Sequence, residues 1–159
     1  MAVNIRPMAA EDKITITKIL QVTSEFTSTE VKVALELIDL YLEFGVSSDY
    51  HILVAEIDDS TSGYICFGPT PLTDGTWDIY WMAVDPGKQR QGIGRKLLTE
   101  AENGISKAMG RLILVETSSK PDYEKTRKFY ESCDYEIIAC IPDFYTPGDD
   151  KVIFQKRLD

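Results

Sequence analysis

Apolar and polar residues alternate over Val3-Asn4-Ile5-Arg6, the pattern of a short strand that Pro7 ends. Residues 9–24 carry Ile14, Ile16, Ile19 and Leu20 at mixed spacing, which fits a helix better than a strand. Over residues 29–44, Val31, Ala34, Leu35, Ile38 and Leu42 recur at helical spacing; Ser28 or Thr29 can cap this helix and Gly45 can end it. Residues 50–57 and 62–68 read as two strands around the turn Asp58-Asp59-Ser60-Thr61. After a second turn at residues 69–75, Thr76 to Val84 is rich in aromatic and β-branched residues, as a central strand would be, and stops at Asp85-Pro86-Gly87. From Gly92 to Met109 a single apolar stripe runs through Ile93, Leu97, Leu98, Ala101, Ile105 and Met109. Residues 111–116 read as a buried strand, and Pro121 can sit in the first turn of a helix reaching about Cys133. Residues 135–141 and 152–158 are predicted as the last strands, joined by a loop through Pro147-Gly148-Asp149-Asp150.

The predicted order is β-α-α-β-β-β-α-β-α-β-β. Consecutive strands in the middle and at the end favour antiparallel pairs, whereas the unit through residues 76–116 needs a parallel crossover, so the sheet is mixed and a doubly wound parallel fold is excluded. At 159 residues, with 43% hydrophobic and 27% charged residues, the chain is expected to form one domain with a full core. A net charge of −9 argues against wrapping nucleic acid or adhering to an anionic membrane. Apolar runs such as 52–55, 112–115 and 137–141 are four or five residues long, far below the roughly 20 that span a bilayer, and residues 1–13 lack the apolar core of a signal peptide, so a cytoplasmic location is expected. Three cysteines (Cys66, Cys133, Cys140) without C-x-x-C spacing, and a single histidine, His51, suggest neither a disulfide framework nor a metal centre. The cysteines read as small hydrophobes and His51 as structural.

One stretch reverses the chain's acidity. Between the strand ending at Val84 and the helix from Gly92, the sequence Gly87-Lys88-Gln89-Arg90-Gln91-Gly92-Ile93-Gly94-Arg95-Lys96 brings four cations together. Two glycines leave room for a ligand to approach the backbone, and the first N–H groups of a helix are unpaired and suited to an anion. A G-x-G turn alone is weak support. No G-K-[ST] follows, so this is not a P-loop, and Leu97 stands where a dinucleotide fingerprint would need its third glycine.

Gln89-x-x-Gly92-x-Gly94 resembles the acetyl-CoA-binding pattern Q/R-x-x-G-x-G/A of the GNAT family of N-acetyltransferases. Thr126-Arg127-Lys128-Phe129-Tyr130-Glu131 resembles that family's second landmark, a helix carrying F-Y or L-Y before an acidic residue. The family's frequent Asn seven residues before this Tyr is replaced by Tyr123, its Ala by Thr126 and its following Gly by Asp134. The resemblance covers nearly the whole chain. It implies an α+β fold whose mixed, mostly antiparallel sheet of six to seven strands, with about four helices, is splayed between the strands at 76–84 and 111–116. It further implies acetyl-CoA as co-substrate, no metal, and direct attack by an amine in a ternary complex. The pyrophosphate would dock at Gln89, Arg90, Gln91, Gly92, Ile93, Gly94 and Arg95. The pantetheine arm would lie beside Met82, Ala83 and Val84, near a β-bulge, with Thr126 also in contact. A backbone N–H near Val84 would polarise the thioester carbonyl, a contribution typically worth ~3 kcal/mol. By alignment Tyr130 is the candidate acid for the leaving thiolate, and Asp78, with Glu116 second, the candidate base.

In that family the first two helices and the last hairpin wall the acceptor site. Residues 21–45 hold Glu25, Glu30, Glu36, Asp39 and Glu43 against the single Lys32, and the last loop holds Asp143, Phe144, Tyr145, Asp149 and Asp150. Such a wall favours a cationic small-molecule or peptide amine: a polyamine, an amino sugar or a basic peptide end. The terminal hairpin also offers strands that could pair in a homodimer. The alternative reading keeps the fold without the chemistry, as an acyl-CoA-binding or sensing module; a nucleotide-binding regulator is more distant.

Overall fold

The computed structural model describes residues 2–158, leaving Met1 and Asp159 outside the described residues. Among the described residues seven strands and four α-helices follow one another: β1 (Asn4–Pro7), α1 (Lys13–Val22), α2 (Ser28–Phe44), β2 (His51–Ile57), β3 (Ser60–Pro69), β4 (Thr76–Val84), α3 (Ile93–Lys107), β5 (Leu112–Ser118), α4 (Glu124–Ser132), β6 (Glu136–Thr146) and β7 (Asp149–Arg157). The sheet order is β1-β2-β3-β4-β5-β7-β6, antiparallel throughout except for the parallel pair β4–β5. This is the predicted element order and the predicted mixed sheet. No described helix is long and apolar enough to cross a membrane.

The sheet separates two cores. On one face α1 and α2 bury Ile16, Leu20, Ala34 and Ile38 against Ile52, Tyr64 and Cys66; on the other, α3 and α4 bury Leu97, Leu98, Ile105 and Tyr130 against Ile65, Ile113 and Phe154. Each fully buried Leu or Ile contributes about 1.5–3 kcal/mol. The cap of α2 is Thr27, one residue before the predicted candidates. Its hydroxyl accepts the Glu30 N–H (3.1 Å), while Glu30 Oε1 accepts the Thr27 N–H (3.2 Å). At the sheet's end Arg6 donates to both carboxylate oxygens of Asp12 (2.7 and 2.9 Å) and to Glu56 (3.0 Å), tying β1 to the segment before α1. Asp12 also accepts the Ala9 N–H (2.8 Å) and the Thr61 hydroxyl (2.8 Å).

Three expectations need correction. Met109 lies beyond the end of α3 and is exposed, with φ at 67°, because the helix stops at Lys107. The segment 142–150 is not a loop: β6 and β7 run on to Thr146 and from Asp149, with Asp143 (φ 56°) absorbing the irregularity. Its N–H donates to Asp150 (3.0 Å) and its carboxylate accepts the Gly148 N–H (2.7 Å). Cys140 is exposed on β6, the edge strand, and only Cys66 and Cys133 are core residues.

Two features of β4 open the sheet at one end. Cys66 pairs with Trp81 and Phe67 with Ile79, so Tyr80 is an extra residue, a β-bulge. In addition, β4 and β5 pair only from Thr76–Leu112 to Ile79–Val115. Beyond Ile79 they part, while β5 stays paired to β7 as far as Ser118–Lys151.

Candidate active site

The opening between β4 and β5 forms part of a cleft of about 1100 Å³. At one end the chain leaves β4 through Asp85, whose carboxylate accepts the Gly87 N–H (3.0 Å), and reaches α3 through Arg90 (φ 68°) and Gly92 (φ 77°). Among the described residues the N–H groups of residues 89–95 donate to no protein acceptor, and the first helical bond is Lys96 N–H to Gly92 O (3.1 Å). A row of free donors at a helix N-terminus is an anion site. A Cβ on Gly92 would meet nothing within 4 Å, so the surface there is open, whereas one on Gly94 would touch Phe129 at 3.4 Å. Lys88, Arg90 and Arg95 line this end.

In the middle of the cleft the free edge of β4 faces inward. Asp85 N–H donates to Ser62 O on β3, and the alternation of an antiparallel ladder then turns the Met82 and Val84 N–H groups away from β3, towards the opening. Tyr130 reaches the cleft from α4. Its ring is buried between Phe129, Tyr135 and Phe154, and its hydroxyl has no hydrogen-bond partner among the described residues. Burial pushes its phenol pKa well above the usual value, so it stays protonated at neutral pH.

The sequence model of the acetyltransferase (GNAT) domain matches residues 48–137. The chain belongs to the GNAT family. A structure described as a GNAT-family acetyltransferase from Desulfovibrio desulfuricans is 40% identical, with 98% of this chain and 99% of that one covered and a TM-score of 0.94. YncA from Salmonella typhimurium, solved with acetyl-CoA, shares the fold at 21% identity, 100% and 95% coverage and TM-score 0.76. The ribosomal-protein-S18-alanine N-acetyltransferase of Escherichia coli does so at 17%, 99% and 95%, and 0.79. No curated protein matches the chain in sequence.

The acetyltransferase brings nearly all of its candidate donor-site and catalytic residues to this one cleft: Asp78, Met82, Ala83, Val84, Gln89, Arg90, Gly92, Ile93, Gly94, Arg95, Glu116, Thr126 and Tyr130. Gln91, between two residues of positive φ, is exposed and stands apart from the lining, as does Lys96. Beyond the bulge, Asp78 faces the α1–α2 side. It accepts the Thr70 hydroxyl (2.6 Å), and burial raises its pKa, with Glu116 nearby adding to the rise. Glu116 is exposed and pairs with Lys151 (3.0 Å), whose ammonium lies 4.1 Å over the Phe144 ring.

The acidic wall is narrower than the sequence suggests. Glu25 and Glu30 line the cleft; Glu36, Asp39 and Glu43 do not, and Asp39 is paired with Lys13 on the outer surface. From the hairpin, Tyr145 reaches the cleft, whereas Asp143, Phe144 and Asp150 do not. Asp149 lines it but is buried against the Ser118 hydroxyl. Sequence reasoning missed Lys125, a cation on α4 just before the second motif, and the pair Phe26–Trp81, whose rings meet edge to face at 5.4 Å on the α1–α2 side of the cleft. It also missed the bond from the Tyr123 hydroxyl to Glu30 (3.1 Å). His51 lies outside the cleft, stacked on Phe67 at 5.3 Å.

Proposed function

We propose that this acetyltransferase moves an acetyl group from acetyl-CoA to a primary amine by direct attack within a ternary complex. The observation that carries this reading is the continuity of free donors, from residues 89–95 at the helix terminus to Met82 and Val84 on the unpaired edge of β4. The residues fit the co-substrate: an open anion site with three flanking cations, then an amide-lined slot, then Tyr130. Acetyl-CoA supplies the activated acetyl thioester.

In this reading the N–H groups of residues 89–95, with Lys88, Arg90 and Arg95, hold the pyrophosphate. Thr126 flanks the pantetheine slot. The Met82 or Val84 N–H stabilises the oxyanion, a donor of a kind worth ~3 kcal/mol when preorganised. Tyr130, kept protonated by burial, donates to the departing thiolate. Asp78 takes the proton of the attacking ammonium, and its raised pKa moves it towards the range in which a base works at neutral pH. Glu116, already neutralised in part by Lys151, is the second candidate base. Glu25, Glu30 and the aromatic faces of Tyr80, Trp81 and Tyr145 favour an acceptor that carries positive charge.

Calorimetric titration with acetyl-CoA tests the donor half, on the unmodified protein and on Gly92→Glu. Micromolar binding, lost in the variant, is expected. A screen of amines by thiol release then tests transfer, with turnover expected for polyamines, amino sugars or basic peptide ends. Binding without acceptor-dependent thiol release would leave an acyl-CoA-binding module instead. Turnover of acidic amino acids alone would overturn the cationic preference.

A further inference from the structure

Tyr123 stands where two walls of the cleft meet. The connection from β5 to α4 that carries it is firmly held: the Ser118 hydroxyl donates to Asp149 and accepts the Lys120 N–H (3.0 Å). Arg127 clamps the same connection by donating to the carbonyls of Ser118 (2.7 Å) and Lys120 (2.9 Å). Tyr123, which ends the 3-10 turn leading into α4, lines the cleft beside Thr126 and Tyr130. Its hydroxyl does not point along α4. It reaches across to donate to Glu30 Oε2 (3.1 Å) and lies 3.3 Å from the Glu25 carbonyl oxygen.

Both Glu30 oxygens are engaged. One accepts the Thr27 N–H that caps α2, and the other accepts Tyr123. Glu25, Phe26 and Glu30 form the acceptor-side wall, and they belong to the α1–α2 connection and the first turn of α2. The phenol is half-buried and stays protonated, because burial and the Glu30 carboxylate both oppose its ionisation. A fixed donor on one wall therefore holds a capping residue on the other.

We propose that Tyr123 is a positioning residue that couples the two substrate sites: a donor seated against α4 fixes, through the Tyr123 hydroxyl, the acceptor wall at residues 25–30. The coupling rests on acetyl-CoA being the donor, since it needs the donor to lie along α4. The tie holds as a neutral phenol against a carboxylate, so its partner can be an amide equally well.

The test is amide hydrogen exchange, without ligand and with saturating acetyl-CoA, on the unmodified protein, Tyr123→Phe and Glu30→Gln. In the unmodified protein acetyl-CoA is expected to slow exchange over residues 25–31 about tenfold. Glu30→Gln is expected to behave alike, because its amide oxygen still caps α2 while its NH₂ donates to the Tyr123 oxygen. Tyr123→Phe, which loses only the hydroxyl, is expected to show less than about twofold protection there. Its Kd for acetyl-CoA should stay within about twofold of the unmodified value, since the hydroxyl points away from the donor. Equal protection in Tyr123→Phe overturns the coupling, and so does absent protection in the unmodified protein with acetyl-CoA bound. If acetyl-CoA does not bind the unmodified protein, the donor reading fails instead. The tie is then judged without ligand, where Tyr123→Phe must speed exchange at residues 25–31 several-fold and an unchanged rate overturns it.

Discussion

Ile79 and Met82 point into the same core, the one beneath α3 and α4, although they stand three positions apart, an odd step along β4. Regular alternation would put them on opposite faces. The extra residue Tyr80 makes the difference, and by the same step Asp78, Trp81 and Ala83 share the face towards α1 and α2. One bulge thus assigns Met82 and Val84 to the α3–α4 side of the strand and Asp78 to the α1–α2 side.

Deleting Tyr80 makes Ile79 and Trp81 successive, so residues 81–84 should keep their faces and their register with β3 while the bulge is lost. A stability change of less than about 3 kcal/mol is therefore expected, with acetyl-CoA binding weakened about tenfold or more because β4 no longer carries the irregularity beside its parting from β5. Chemical denaturation and calorimetry read both. Retention of binding in the deletion variant would show that the bulge does not set the slot.

The two glycines of the anion site should respond in opposite ways. At Gly92 the φ of +77° is strained for any side chain even though space is open, so Gly92→Ala is expected to cost about 1–2 kcal/mol. Gly94 is helical, and its added methyl group would make an ordinary contact with Phe129, so Gly94→Ala is expected to stabilise by about 0.5–1 kcal/mol. Its acetyl-CoA affinity should remain within about threefold. Thermal unfolding of the pair separates conformational strain from steric exclusion.

Tyr130→Phe keeps the ring packed against Tyr135 and Phe154 and removes a hydroxyl that bonds nothing among the described residues. Stability and acetyl-CoA affinity should therefore change little. Turnover should fall about a hundredfold or more, the usual scale for a lost general acid. Thiol-release kinetics with unchanged kcat would remove Tyr130 from the chemistry.

Asp78 sets an expectation for pH. A base works only when ionised, and burial raises the Asp78 pKa, so the acidic limb of the kcat profile should lie above the ordinary carboxylate value of about 4. Asp78→Asn keeps an acceptor for the Thr70 hydroxyl and should abolish that limb along with most of the rate. An unchanged limb in this variant would transfer the role to Glu116, to be checked with Glu116→Gln.

Asp12 behaves in the opposite sense. Arg6, against the opposing cost of burial, and the bonds from Ala9 and Thr61 lower its pKa to about 2, so the folded state is favoured by its ionisation. That contribution is fully present above the ordinary carboxylate value and is lost as pH falls towards about 2. It amounts to about 2 kcal/mol. Acid denaturation of Asp12→Asn should be shallower over this window than that of the unmodified protein, and equal slopes would contradict the assignment.

The order of elements was legible because it lies in local patterns. The strand Thr76–Val84 begins and ends where its composition changes, and the stripe of α3 has the helical period up to Ile105. The bulge was not legible: in Trp77-Asp78-Ile79-Tyr80-Trp81-Met82 almost every residue could face a core, and only pairing with β3 makes Tyr80 the odd one. Pro142 and Pro147-Gly148 read as a loop because nothing local shows that Asp143 and Asp150 close the hairpin between them. The turn into α3 was legible from its glycines and cations. The proposed acceptor wall was not, because Tyr123 and Glu30 meet across 93 residues of sequence, and because Asp39 and Glu43 share a helix with Glu30 but not its side of the cleft.

The parting of β4 from β5 also bears on self-association. A strand edge left unpaired at the margin of a sheet, as on β6, invites another chain to add to it. The unpaired edge of β4 beyond Ile79 is instead enclosed, with β3 on one side and the β5–β7 pair on the other. A second polypeptide strand cannot reach it without displacing its neighbours, whereas a slender, flexible amide-bearing chain can thread between them, so the fold keeps sticky backbone for a small guest while sheltering it from aggregation.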